Sequence, residues 1–223
     1  MLYRGDIMII LKNVGKNYGE KKALSEVTLS IEKGEMIAVM GPSGSGKTTL
    51  LNIIGCMDRM DEGEYLFDDK DVSSLKGSRL DKFRAENVGF VFQQFALLKD
   101  YSIRENIGLP LRARGLSKKE RRQLEDEYLE KLGISDVAEK VPPKCSGGQQ
   151  QRCAIGRAII AGVSLILADE PTGALDRATG DEVMKLFCDL NHEGKTVIVV
   201  THDSHVASYA GRIIRIEDGK VAE

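Results

Sequence analysis

No apolar run in this 223-residue chain approaches the roughly 20 residues that a membrane-spanning helix needs. The segment Met1–Ile10 also lacks the charge and cleavage pattern of a secretory signal, so the chain is expected to be cytoplasmic and to meet a membrane only through another protein. The short C-terminus, ending at Lys220-Val221-Ala222-Glu223, is expected to leave no room for a regulatory domain. Charge of one sign is scarce too: 32 basic and 34 acidic residues give a formal net charge of −2, which removes the electrostatic case for a nucleic-acid partner. Cysteines are few and scattered. Cys56, Cys145, Cys153 and Cys188 form no C-x-x-C pair, and the three histidines have no metal-binding spacing, so reduced thiols are expected. The chain contains neither an internal repeat nor a low-complexity segment. What remains is a globular balance, 42% hydrophobic and 30% charged, long enough for one large domain or a core with an inserted subdomain.

Short β-rich runs alternate with helical stretches, the order of an α/β layered fold. Strands are expected over Met8–Leu11, Val27–Ile31, Met36–Met40, Glu64–Phe67, Val88–Phe92, Leu165–Ala168, Thr196–Val200 and Ile213–Ile216. Leu165–Ala168 and Thr196–Val200 are almost purely apolar, as central parallel strands covered on both faces would be. From Phe95 to Cys145 the strand signal nearly vanishes. There, Ser117 and Glu120 occupy capping-box positions ahead of a run of alternating charge, which predicts a capped helix with a solvated face. Residues 95–145 therefore read as a helical subdomain inserted into a core made of residues 1–94 and 146–223.

Gly41-Pro42-Ser43-Gly44-Ser45-Gly46-Lys47-Thr48 fits the phosphate-loop pattern G-x-x-x-x-G-K-[ST]. Its glycines let the chain curl until successive N–H groups converge on one anion. Lys47 would reach the β- and γ-phosphates, and the Thr48 hydroxyl would hold Mg²⁺. The flanks agree: Met36–Met40 reads as a buried strand, and the run from Thr49 to Ile54 as an apolar helix with its positive end on the phosphates. A second apolar strand, ending at Ala168, is followed by Asp169 and Glu170. Ligands of α/β sheets sit at the carboxyl ends of strands. Asp169 can there orient the Mg²⁺ shell, and Glu170 can polarise an attacking water as general base.

Cys145-Ser146-Gly147-Gly148-Gln149-Gln150-Gln151-Arg152 resembles the signature sequence of ATP-binding-cassette (ABC) ATPases, with Cys145 in place of the usual leucine. Ser146 and two glycines ahead of a helix over Gln150–Ile160 make a further anion site at a helix N-terminus. In the family this site, Ser146 to Gln149 here, faces an ATP held on the phosphate loop of a second subunit, so two chains enclose two ATPs. The resemblance implies a role for several more residues. Tyr18 would stack on adenine, and Gln93 would contact Mg²⁺ and water. Asp176 would lie in a segment crossing to the partner, and His202 would sense the γ-phosphate and hold Glu170 and the water. His192 and His205 match nothing in the family and read as surface or loop residues.

The resemblance runs from about Ile9 to Val221. It implies a P-loop NTPase (RecA-like) α/β core with an antiparallel β subdomain and an inserted α-helical subdomain. The stretches Gly89–Phe95, Ser146–Arg152 and Asp169–Asp176 resemble the class that includes lipoprotein-release, macrolide-export and antimicrobial-peptide-resistance systems. That class implies a homodimer on the inner face of the cell membrane, bound to a permease with few helices and a large extracytoplasmic domain. Two other readings stay open: a soluble repair-type ABC ATPase, and a nucleotide-gated binding module that does not turn over. The first usually carries a long coiled coil between its nucleotide motifs. The short stretch from Gln93 to Ser146 has no sustained heptads.

Overall fold

The computed structural model describes residues 7–222. In chain order its first elements are β1 (Ile7–Tyr18), β2 (Lys21–Glu32), β3 (Met36–Met40), α1 (Lys47–Ile54), β4 (Glu62–Phe67), β5 (Lys70–Asp71), α2 (Ser78–Asn87) and β6 (Val88–Val91). After these come α3 (Ile103–Gly108), α4 (Lys118–Lys131), α5 (Gly147–Ile159), β7 (Leu165–Asp169), α6 (Arg177–His192), β8 (Thr196–Val200), α7 (Ser204–Ala207), β9 (Arg212–Glu217) and β10 (Lys220–Ala222). One sheet is antiparallel, in the order β2-β1-β4-β5; the other runs β10-β9-β3-β8-β7-β6 and is parallel apart from its β9–β10 edge. The fold is thus a mostly parallel α/β core with an antiparallel sheet beside it and helices alongside.

The apolar runs of β7 and β8 follow from this placement. Alternate side chains of a strand point to opposite faces. Leu165, Leu167, Ile198 and Val200 pack with Leu50, Leu51 and Ile54 of α1, whereas Ile166, Ala168, Val197 and Val199 pack with Ile155, Ile159, Val183 and Phe187 of α5 and α6. Both faces are covered, so the strands are apolar over Leu165–Ala168 and Val197–Val200, and their one buried hydroxyl, Thr196, accepts from Gly34 N at 2.9 Å. Parallel pairing then brings the carboxyl ends of β3, β8 and β7 side by side, with Val39 opposite Val200 and Val200 opposite Asp169.

Several elements differ from expectation. β1 continues past Leu11 to Tyr18, through register shifts at Lys12–Lys16 and a positive φ at Asn13. Bulges let polar residues sit within a strand without breaking it. α2 has no buried residue and hence no apolar periodicity to announce it, while β5 and β10 are only two and three residues long. β6 stops at Val91, so Phe92 and Gln93 lie in the turn beyond it. Between Phe95 and Cys145 no strand occurs. The expected Ser117–Glu120 capping box starts α4, and an unforeseen Ser102–Glu105 box starts α3. α4 buries only Leu129, so its charged run is the solvated face anticipated.

Candidate functional site

The phosphate loop joins β3 to α1. Gly46 has φ +106°, and a Cβ there would lie 2.5 Å from the Ala23 carbonyl oxygen, so only glycine fits. α1 begins at Lys47, two residues earlier than expected, and has no side-chain cap, which leaves its first N–H groups for an anion. Lys47 is buried and donates to the carbonyls of Gly41 and Pro42, both at 2.8 Å. Pro42, Ser43 and Gly44 form the exposed lip, and Ser45 is buried beneath it.

The two halves of the sequence motif meet here. Thr48 Oγ1 donates to Asp169 Oδ2 at 3.2 Å. Burial, opposed by that hydrogen bond and reinforced by Glu170, pushes the Asp169 carboxyl above the usual carboxylate range. Glu170 follows with φ +47°, a left-handed backbone that an L side chain rarely adopts. This turn aims its carboxylate at the end of β8, where Oε1 lies 2.6 Å from His202 Nδ1 and Oε2 accepts from Thr201 Oγ1 at 3.3 Å. Gln93 comes from the end of β6. Its Nε2 lies 2.8 Å from where a Cβ on Gly173 would be, which puts the amide on the turn that follows Glu170.

The Glu170 contact raises the pKa of His202 above 6.5, although the imidazole is largely exposed. The sign follows from linkage. The imidazolium–carboxylate pair is complete below pH 6.5 and is lost as pH rises through the raised value. In a Glu170→Gln chain the His202 titration followed by NMR should fall back toward 6.5. A titration unchanged by the substitution would contradict the pairing.

The signature turn is built separately. α5 starts at Gly147, not Gln150, because Ser146 caps it: Ser146 Oγ accepts from Gln149 N at 3.3 Å, and Gln149 Oε1 accepts from Ser146 N at 3.0 Å. Gly147 and Gly148 leave space for Leu175 and Thr179. Asp176 caps α6 through Thr179 N at 3.0 Å. Among the described residues no hydrogen bond links Ser146–Gln149 to the chain's own phosphate loop. Cys145 sits behind the turn, its Sγ 3.5 Å from the Val141 carbonyl oxygen and packed on the core. Tyr18, at the end of β1, donates its hydroxyl to Asp58.

Two features escaped the sequence. Gln151 is fully buried, and its Nε2 donates to the Pro171 carbonyl at 2.6 Å, which ties the signature helix to the turn carrying Glu170. A polar residue on the apolar i, i+3, i+4 face of α5 (Gln151, Ala154, Ile155) was the available signal. His205 corrects an expectation. It is part of α7, and its Nε2 lies 2.7 Å from Asp181 Oδ1, joining α7 to α6. His192 does end α6 at the surface, as expected.

A strand-flanked phosphate loop, an Asp-Glu pair at the next strand but one and a histidine on the carboxylate are thus brought together at one end of the parallel sheet. The chain belongs to the ABC transporter family, whose profile matches residues 24–173. It is 46% identical to YvrO, an uncharacterized ABC transporter ATP-binding protein of Bacillus subtilis (strain 168), over 96% of this chain and 95% of that one. It is 48% identical to the macrolide export ATP-binding/permease protein MacB of Rhodopseudomonas palustris (strain BisB18), over 96% of this chain but 33% of MacB. Among solved structures, the dimeric post-hydrolysis state of the ATP-binding cassette MJ0796 bound to ADP and Pi superimposes with a TM-score of 0.89, at 46% identity over 97% of each chain. The protein is thus an ABC ATPase that binds and hydrolyses ATP.

Proposed function

We propose that the chain is one half of a head-to-tail homodimer that hydrolyses two ATPs to drive a transmembrane permease. The observation carrying this reading is the convergence of Thr48, Asp169, Glu170 and His202 at the ends of three neighbouring strands. Gly41 to Thr48 hold the polyphosphate, with Thr49 in the first helical turn and Tyr18 against the adenine. Ser146 to Gln149 of the second copy close over the γ-phosphate. The capping box occupies Gln149 N and Ser146 N, so Gly147 and Gly148 present the free N–H groups of that helix end.

The residues present suit Mg²⁺. Thr48 and Asp169 offer hard oxygen donors side by side, phosphate and water can complete the shell, and a dication would relieve the raised Asp169 pKa. Gln93 can add its amide oxygen from the facing turn. When bound, the ion offsets charge developing on the transferred phosphoryl group. Glu170 accepts a proton from the attacking water, and His202 fixes the orientation of that carboxylate. Lys47 exchanges its two loop carbonyls for phosphate oxygens. Asp176, in the turn packed on the signature helix, passes between copies.

The partner reading rests on relatives. MacB proteins are named as ATP-binding/permease proteins, and the chain spans a third of their length. No helix among the described residues is long and apolar enough to cross a membrane. In this reading the partner is a permease with few helices and a large extracytoplasmic domain, carried on a separate chain or as a further domain, and the ATPase sits on the inner membrane face. A groove of about 980 Å³ lined by Phe90, Phe92, Pro110 and Ala113 lies between the β6 end and the helices and suits an inserted helix. ATP-loaded Glu170→Gln protein should recover one membrane protein in equal amount from detergent-solubilised membranes. Adding Ala113→Glu should abolish that recovery. Retrieval of soluble partners alone would favour the repair-type reading.

A further inference from the structure

Tyr18 is 48% exposed, yet it is held in place by residues that no nucleotide motif includes. Its hydroxyl donates to Asp58 Oδ2. The same carboxylate accepts from Lys16 Nζ at 3.0 Å through Oδ1, and Lys16 also donates to the Arg59 carbonyl at 2.7 Å. Lys16 is buried, with its ammonium 5.1 Å from the centroid of the Tyr18 ring. Asp61 completes the cluster: it lies 3.7 Å from Lys16 Nζ and accepts from Asn17 N at 2.7 Å.

Asp58 and Asp61 belong to the segment between α1 and β4, and Lys16 and Tyr18 to the end of β1. The cluster therefore registers the tip of the antiparallel sheet against the helix that carries the phosphate loop. Burial works to raise the Asp58 carboxyl, but the hydrogen bonds from Tyr18 and Lys16 outweigh it and hold the group below its usual range. The acceptor thus stays ionised, which makes both bonds charge-assisted. Donation to Asp58 leads the causes that raise the Tyr18 phenol, and the Thr49 hydroxyl acts in the opposite sense. Asp58 N donates to the Asn52 carbonyl of α1 at 3.2 Å, so the carboxylate that holds the phenol is itself fixed to that helix.

The geometry points to Lys16 and Asp58 as positioning residues for base recognition: Asp58 pins the Tyr18 hydroxyl, and Lys16 backs the ring and leaves the opposite face for adenine. A ring ordered before the ligand arrives loses no rotamer freedom on binding, so the pin acts on affinity and not on the chemical step. The inference rests on the reading of Tyr18 as the adenine-stacking residue.

The test is calorimetric titration with MgADP and, as a base-free probe, with magnesium pyrophosphate. Tyr18→Ala should weaken ADP by about tenfold or more, the order of a lost aromatic–base stack. Asp58→Asn and Tyr18→Phe should each weaken ADP by about two- to tenfold, as loss of one hydrogen bond would. Neither should alter pyrophosphate binding. In a Tyr18→Ala chain, adding Asp58→Asn should have no further effect. If Tyr18→Ala leaves ADP affinity intact, the stacking reading falls and this inference with it. If Tyr18→Ala weakens ADP but Asp58→Asn and Tyr18→Phe do not, stacking stands and the pin is overturned. The pin is also overturned if Asp58→Asn weakens pyrophosphate equally, or weakens ADP as much without Tyr18 as with it.

Discussion

Glu170→Gln is expected to slow phosphate release by about 10²–10⁴-fold, the range for loss of a positioned general base. The substitution keeps the shape of the side chain and one of the two oxygens, which in Glu170 face Thr201 and His202 separately. It removes the basicity that can take a proton from water. Glu170 lies outside the phosphate loop, and among the described residues no hydrogen bond or ion pair joins it to Lys47, whose ammonium is held by the Gly41 and Pro42 carbonyls, so ATP affinity should survive. Binding without turnover then holds the γ-phosphate between two copies, and the ATP-loaded variant should elute as a stable dimer. Phosphate-release assays and size-exclusion chromatography with and without ATP check both halves. Hydrolysis at an unaltered rate would contradict the assignment of the base.

Much of this site was legible because its chemistry is local in sequence. Eight consecutive residues build the phosphate loop, and Asp169 and Glu170 are adjacent on a strand whose apolar run announces its central place. The capping pattern of Ser117 and Glu120 was read correctly. The same pattern with glutamine, at Ser146 and Gln149, starts α5 at Gly147, three residues before the expected Gln150. Pairings across long separations were not legible. Thr48 with Asp169 is the exception, since the strand-end rule assigns both to one Mg²⁺; Tyr18 meets Asp58 only because the fold brings distant segments together. Gln151 is another such case, since its partner is a carbonyl twenty residues away and carbonyls leave no mark in a sequence. His205 looked idle because Asp181 lies on a different helix.

The composite site makes the second large prediction. Lys47→Ala removes the buried ammonium of the phosphate loop. Ser146→Arg removes the cap of α5 and fills the turn that should face the γ-phosphate of the other copy. Each variant alone should lose nearly all hydrolysis, because every site in its homodimer carries the defect. The Ser146→Arg change also forfeits about 1 kcal/mol of helix capping, too little to unfold a domain of this size.

Mixing the two variants separates a shared site from a single-chain one. In a mixed dimer one interface joins the Lys47→Ala loop to the Ser146→Arg turn, while the other joins an intact loop to an intact turn. That second site has everything the account requires. The measurement is phosphate release from an equal mixture of the two purified variants, compared with each alone. Clear recovery of ATPase activity on mixing is the predicted result. A mixture as inactive as its components, although chromatography shows mixed dimers forming, would contradict a site shared between two chains.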